Sequence, residues 1–302
     1  MPQNWYEDIK FSMFGKGKKR SVKVKSSISP VCDICGKPVE GKGIASGKKS
    51  YHPECFRDNV AYTCSLCAKP IMGAYVKDYW QNIYHAAHQQ KALQCMYCGR
   101  FLGRNLTNGG TRYSDGRIIC GLCLKQAVSN IQEADRIVPE IISNLADNGI
   151  DVRKAKYKLY LIGRAKLKKL SSSKEPEESG YTSFKGKFEN GSLKRMDISI
   201  FILKGLPKYH FIHTAAHELM HVWLYMNAPQ KAVPALKEGS CNFAGYRVLS
   251  HYTSEDARYV EHTLFENKDK VYGKGFRDVY NFAQKRGVSA LLHYLRNNKR
   301  LP

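Results

Sequence analysis

Apolar and polar positions alternate with clear periods over the second half of the chain, and these periods predict its elements. Between Gln126 and Asn148, Ile131, Ala134, Ile137, Val138, Ile141 and Ile142 recur at helical spacing. They predict one helix, with Pro139 as a kink and Asn148-Gly149 as its stop. "YKLYLIG" at 157–163 predicts a strand, and "DISIFILKGLP" at 197–207 is an apolar, β-branched run closed by Gly205 and Pro207 that predicts another. The polar stretch "SSSKEPEESG" at 171–180 reads as a loop between them. A long helix is expected over about 208–226, stopped at Asn227-Ala228-Pro229, and a second from Pro234, a residue suited to a first helical turn. The remainder reads as mostly helical, and no internal repeat is evident.

The first half has a different texture. Residues 1–29 read as a basic flexible arm, in which Trp5, Tyr6, Ile9, Phe11, Met13 and Phe14 precede "GKGKKR"; a short amphipathic contact is the alternative. Residues 30–125 are rich in Cys and His. The resulting division is an arm (1–29), a zinc-binding region (30–125), a helical connector (126–150) and a second folded domain (151–302). A length of 302 residues accommodates this.

Eight of the ten cysteines form four Cys-x-x-Cys pairs, a spacing at which two sulfurs reach one metal from a single tight turn. With Cys55 and three histidines they make three complete sets. These are Cys32, Cys35, His52 and Cys55; Cys64, Cys67, His85 and His88; and Cys95, Cys98, Cys120 and Cys123. Each suits a closed, tetrahedral structural zinc that replaces a hydrophobic core in a thin segment. A crossed pairing between non-neighbouring pairs is left open by the spacing. The eight residues "FRDNVAYT" between Cys55 and Cys64 make the first two sets separate or hinged.

A fourth site has another character. In "AHELMHVWL", His217 and His221 lie four residues apart on a predicted helix and share a face, so both imidazoles can reach one metal. Glu218 projects about 100° away from His217 and is placed to act on a water as general base. Glu238, on the next predicted helix, is the expected third ligand, with Glu255 and Glu261 as alternatives farther along. Gly239 would let that helix approach the metal helix closely, and Asn242, one turn after Glu238, is the candidate to orient a ligand imidazole. Cys241 reads as a small packing residue. Two His and one Glu leave a position open for reaction, as in the Glu-ligand (gluzincin) type of zincin. The strand at 197–204 is expected beside the site, where it would hold an extended peptide. Tyr246, His251 and Tyr259 are candidates for stabilising an oxyanion.

With these regions located, the chain resembles the DA-one family of LIM-containing peptidases, known from plants as ubiquitin-activated peptidases that restrict organ growth. "HPECF", "SDGRIICGLCLKQAV", "ISIFILKGLP", "AHELMHVWL", "EGSC" and "VYGKGFRDVYNFAQKRGV" carry the resemblance from residue 32 to the C-terminal region. It implies an α+β zincin domain behind LIM-like modules, with His217, His221 and Glu238 as zinc ligands and Glu218 as base. It also implies a zinc endopeptidase acting on protein substrates, with one catalytic and three structural zinc ions. The acidic, Ala- and Ser-bearing ubiquitin-interacting helix of plant members has no counterpart in the basic residues 1–29, which argues against ubiquitin as a partner.

Charge adds less. The net charge is +23, clustered in Lys16–Lys25, Arg153–Lys169 and Lys285–Arg300. Solubility accounts for it, and nucleic-acid binding is the weaker reading because no set has the finger spacing that leads into a recognition helix. A non-catalytic protein-interaction scaffold is the other alternative, opposed by the intact Glu218. No apolar run reaches membrane-spanning length and no signal-type segment is read, so a soluble, cytoplasmic protein is expected. The loop at 171–186 is expected to act as a lid over the site.

Overall fold

The computed structural model describes residues 31–171, 178–189, 192–229 and 231–300. The basic arm, and most of the polar loop expected at 171–180, lie outside the described residues. The chain divides into two compact units, 1–122 and 123–302.

The first unit is built from short hairpins and single helical turns. In order these are β1 (Ile44–Ser46), β2 (Lys49–Tyr51), α1 (Pro53–Asn59), β3 (Tyr75–Lys77), β4 (Ile83–His85), α2 (His88–Lys91), α3 (Arg104–Thr107), β5 (Gly110–Arg112) and β6 (Ile118–Cys120). The strands pair antiparallel as β1–β2, β3–β4 and β5–β6. A repeat that the sequence did not reveal appears here. Ahead of each hairpin the chain makes one and the same turn, closed by the bridges Val31–Pro38, Thr63–Pro70 and Gln94–Phe101. In each, the first Cys donates its N–H five residues on, to Lys37, Lys69 or Arg100, and accepts from the residue four on, Gly36, Ala68 or Gly99. Those three residues have φ of 70°, 57° and 69°, the left-handed conformation that the turn requires. What repeats is backbone geometry, with only the cysteines constant in sequence.

Small cores support the hairpins. Val39, Ile44, Tyr51 and Phe56 surround Cys32, while Ile71, Tyr84 and Phe101 surround Cys64. Tyr84 stacks edge-on against Phe101 at 4.8 Å and donates its hydroxyl to the buried Asp78 at 2.6 Å. The spacer between the first two zinc sets is not a free hinge: much of it belongs to α1, and Met72 packs onto the core around Cys32.

The second unit opens in α4 (Gly121–Lys125), inside which the division of the chain falls. It continues through β7 (Ala127–Val128), α5 (Ile131–Asp147), β8 (Tyr157–Ile162), α6 (Arg164–Ser171), β9 (Gly180–Glu189), β10 (Ser192–Leu203), β11 (Leu206–Pro207), α7 (Lys208–Asn227), α8 (Pro234–Leu249) and α9 (Glu255–Glu266). A π-turn (Lys270–Lys274), α10 (Gly275–Arg286) and α11 (Val288–Asn297) close it. The fold is mixed α/β.

Helix α5 starts on a reciprocal cap. Asn130 Oδ1 accepts the Glu133 N–H, and the Glu133 carboxylate accepts the Ser129 N–H. It ends at Asn148 with Gly149 at φ 81°. Its buried stripe is Ala134, Val138, Ile141 and Leu145, whereas Ile131 is exposed. The helix was expected as a connector, but it is integral to the second unit: Arg247 donates to Asn148 at 2.8 Å and Tyr252 to Glu140 at 2.9 Å.

The three-stranded sheet has the order β8-β10-β9, with β10 parallel to β8 and antiparallel to β9. Alternate residues Ile198, Ile200 and Ile202 of β10 are buried on one face. Phe201 stacks between Tyr160 and Tyr181 of the flanking strands. This corrects the expectation that residues 197–204 form the strand at the site. That strand is central and pairs on both sides, so it offers no free edge. The edge strand beside Thr214 and Glu218 of the next helix is β9, in a stretch expected to be loop. Among the described residues no helix is long and apolar enough to cross a membrane.

Candidate metal centre

Three clusters assemble as the spacing required: Cys32, Cys35, His52 and Cys55; Cys64, Cys67, His85 and His88; and Cys95, Cys98, Cys120 and Cys123. No crossed pairing occurs among them. His52 Nδ1 faces the Cys35 sulfur at 3.4 Å, and its Nε2 donates to the Pro38 carbonyl at 3.0 Å. His85 repeats this, with Nδ1 facing the Cys67 sulfur at 3.5 Å and Nε2 donating to the Pro70 carbonyl at 3.2 Å. The carbonyl fixes the tautomer, so the Nδ1 lone pair is left pointing at the sulfurs, where a metal would accept it. His88 Nε2 is buried without a hydrogen-bond partner, a group a metal ion satisfies.

Two of the thiols are tuned in the same sense. Burial raises the Cys32 and Cys64 thiols, but backbone N–H groups around each turn outweigh it and bring both down from 9.0 to about 6. Burial and the neighbouring sulfurs push Cys55 up to about 11. The donor sets fit zinc, and with LIM-like hairpins they form the candidate zinc-binding modules.

The second unit carries the fourth cluster. Helix α7 buries Phe211, Ala215, Leu219, Val222 and Trp223, and this packing fixes the rotation that turns His217 and His221 toward α8. Their rings lie 5.0 Å apart. Glu238 Oε2 sits 3.2 Å from His217 Nε2 and 3.5 Å from His221 Nε2. Glu255, exposed on α9, and Glu261 do not join the cluster. Burial disfavours charge on His217, but its bond to Glu238 and the field of two carboxylates leave its pKa above the ordinary value. Burial also acts against the Glu238 carboxylate, and both imidazoles hold it well below the usual range. These shifts belong to the metal-free site; a bound cation would replace the protons.

Asn242 bonds one of these imidazoles. Its Nδ2 donates to the Tyr272 carbonyl at 3.0 Å, so its Oδ1 must face His217 Nδ1, 2.9 Å away. His217 therefore carries its proton on Nδ1 and keeps the Nε2 lone pair for a metal. The Tyr272 carbonyl is supplied by the π-turn.

Cys241 stands differently from expectation. It is fully buried, but its sulfur lies within 4.8 Å of both histidine donors, so geometry alone admits a His217, His221, Cys241 triple as well. The Glu238 carboxylate is at 3.2 and 3.5 Å and already holds a charge there, whereas burial pushes the Cys241 thiol well up. Of the two, Glu238 is the better candidate ligand.

Glu218 is nearly fully buried, and β9 holds it. Thr182 donates to Glu218 Oε2 at 2.7 Å, and a Cβ at Gly180 would collide with the same carboxylate and with Thr214. Neither residue was singled out in the sequence; a polar, Gly-bearing strand lacks an apolar signal. The close approach expected of Gly239 is to Gly275 of α10, while Gly245 meets His213 of α7. His213, one turn before His217, was also missed. Burial drops its pKa to about 3 and keeps it neutral. Of the oxyanion candidates, Tyr246 packs among Phe265, Phe276 and Tyr280, His251 bonds the Arg247 carbonyl at an exposed position, and Tyr259 is buried in α9.

Comparison with known proteins finds relatives of the chain. A family model described as DA1-like, Protein DA1, matches residues 109–258. Protein DA1-related 1 of Arabidopsis thaliana is 24% identical over 78% of this chain and 48% of its own length. Protein DA1 of the same plant is 22% identical over 90% and 63%, and the LIM domain-containing protein HDR3 of Oryza sativa subsp. japonica is 21% identical over 88% and 67%. The chain spans about half the length of the first of these relatives. No solved structure matches.

Proposed function

The chain belongs to the DA1-like family, and from that premise we propose that it is a zinc-dependent endopeptidase of the gluzincin type, with LIM-like modules for substrate recognition or control. The observation that carries the reading is the convergence of His217, His221 and Glu238 on one point, with Asn242 fixing the tautomer and Glu218 held alongside. A helix that used its histidines only for packing would not need a carboxylate within 3.5 Å of both.

His217, His221 and Glu238 would hold the ion, which when bound polarises a carbonyl and acidifies water. Thr182 engages Glu218 Oε2, leaving Oε1 to take the proton of the attacking water. The water oxygen bonds to the peptide carbonyl carbon, the C–N bond breaks, and Glu218 returns the proton to the departing amine. The free edge of β9 holds the substrate backbone extended, as an added antiparallel strand.

Glu218→Gln tests this. It preserves shape and leaves the three ligands alone but cannot accept a proton. Cleavage of a protein substrate is expected to fall at least ~100-fold with zinc content unchanged. Near-normal turnover by this variant overturns the mechanism.

A further inference from the structure

Strand β9 and helix α7 run side by side, and residues on one face of the strand meet successive turns of the helix. Gly180 lies against Thr214 and Glu218, Thr182 bonds Glu218, and Phe184 stacks on Tyr225 at 4.2 Å. Alternate strand residues thus lead from the Glu218 carboxylate toward the C-terminal end of α7. At that end lies a cavity of about 210 Å³. Its walls include Phe184, Leu224, Tyr225 and Leu236, and His221 forms part of the lining. Lys237 is its one cationic wall residue.

The position of this cavity decides its occupant. His221 belongs both to the cluster and to the cavity wall, so a peptide added at the free edge of β9 beside the cluster would bring a side chain to the cavity. Aromatic and branched aliphatic walls favour a large apolar side chain, because water is displaced from apolar surface on both partners. Lys237 disfavours Lys and Arg there by like-charge repulsion. We infer that this cavity is the side-chain specificity pocket of the site, taking a large aliphatic or aromatic residue that flanks the bond to be cut and excluding basic ones. The inference rests on the proposed peptidase reading for the word "cut", but the pocket's preference is measurable without any cleavage.

The full-length, zinc-loaded Glu218→Gln protein is mixed with fluorophore-labelled, capped octapeptides of Ala and Ser that carry Phe, Leu, Trp, Ala, Asp or Lys at a central position. Anisotropy gives the affinities. Phe and Leu peptides are expected to bind about 10-fold or more tightly than the Ala peptide, and the Lys peptide most weakly. Ala228→Phe, which adds a ring from the half-buried rim, should erase the preference. Phe184→Ala, which enlarges the cavity, should shift it toward Trp. Affinities indifferent to the central residue, or a preference untouched by both variants, overturn the pocket. The protein with Glu218 intact is then given the same peptides. Cleavage beside Phe or Leu supports both readings. Selective binding with no cleavage removes the peptidase reading and leaves the pocket, whereas unselective cleavage removes the pocket and leaves the peptidase.

Discussion

At the residue scale, the donor atoms were legible and their supports were not. A metal site demands residue types at fixed spacing, so His217, His221 and the twelve Cys/His ligands are visible in the bare chain. Supports such as the Pro38 and Pro70 carbonyls, Thr182 and the Tyr272 carbonyl act through backbone or through unremarkable side chains. Any residue type has a carbonyl, so sequence carries no trace of that role. Ala68 shows the same gap in reverse. It holds φ 57° where the sister turns have Gly36 and Gly99. A left-handed L-residue costs about 1–2 kcal/mol, and a glycine returns part of that, about 0.4–1 kcal/mol, as unfolded-state entropy. Strain is the larger effect. Ala68→Gly is therefore expected to stabilise the zinc-loaded first unit by roughly 0.5–1 kcal/mol. Denaturant unfolding checks it; a loss of stability would mean that the turn does not feel the Cβ.

At the element scale, the outcome turned on how much apolar signal each segment carries. Helices α5, α7 and α8 were legible from their apolar residues and stop signals, with Pro234 at a first turn and Gly149 at a stop, whereas the Asn130–Glu133 cap emerged only in the structure. Strand β10 was legible as a β-branched run, but its place in the middle of the sheet was not, since pairing is a long-range property. Strand β9 was missed because "GYTSFKGKFE" mixes Gly, Ser and Lys with its aromatics. An edge strand has one free side, so it tolerates such residues, and here the contacts to Glu218 use two of its small residues, Gly180 and Thr182. Gly180 is the sharpest case, since any side chain there displaces Glu218 or Thr214. Gly180→Ala is expected to cut turnover about 100-fold through a misplaced base, with zinc content and the far-ultraviolet circular dichroism spectrum unchanged. Full activity in this variant would show that Glu218 does not work from the position held by β9.

At the scale of the whole molecule, the boundary between parts lies earlier than the sequence suggested. A helix between two differently textured regions reads as a connector, and residues 126–150 were read that way. Its buried face argues otherwise. Ala134 and Ile141 are fully buried, as are Leu145 and the following Ile150. Each large aliphatic side chain removed from such a face forfeits about 1.5–3 kcal/mol, against a total stability of about 5–15 kcal/mol for a domain. A fragment beginning at Asp151 therefore loses most of its margin, along with the Arg247–Asn148 and Tyr252–Glu140 bonds. A fragment beginning at Gln126 keeps the helix, its Asn130–Glu133 cap and the β7–β11 pairing. The longer fragment is expected to melt cooperatively and to retain one zinc per chain, the shorter one to show no cooperative transition. Should residues 151–302 fold and bind zinc alone, α5 would be a connector after all, free to transmit a binding event. Folding and zinc retention by both fragments would thus restore the connector, and folding by the longer one alone assigns the helix to the frame that holds His217, His221 and Glu238 in place.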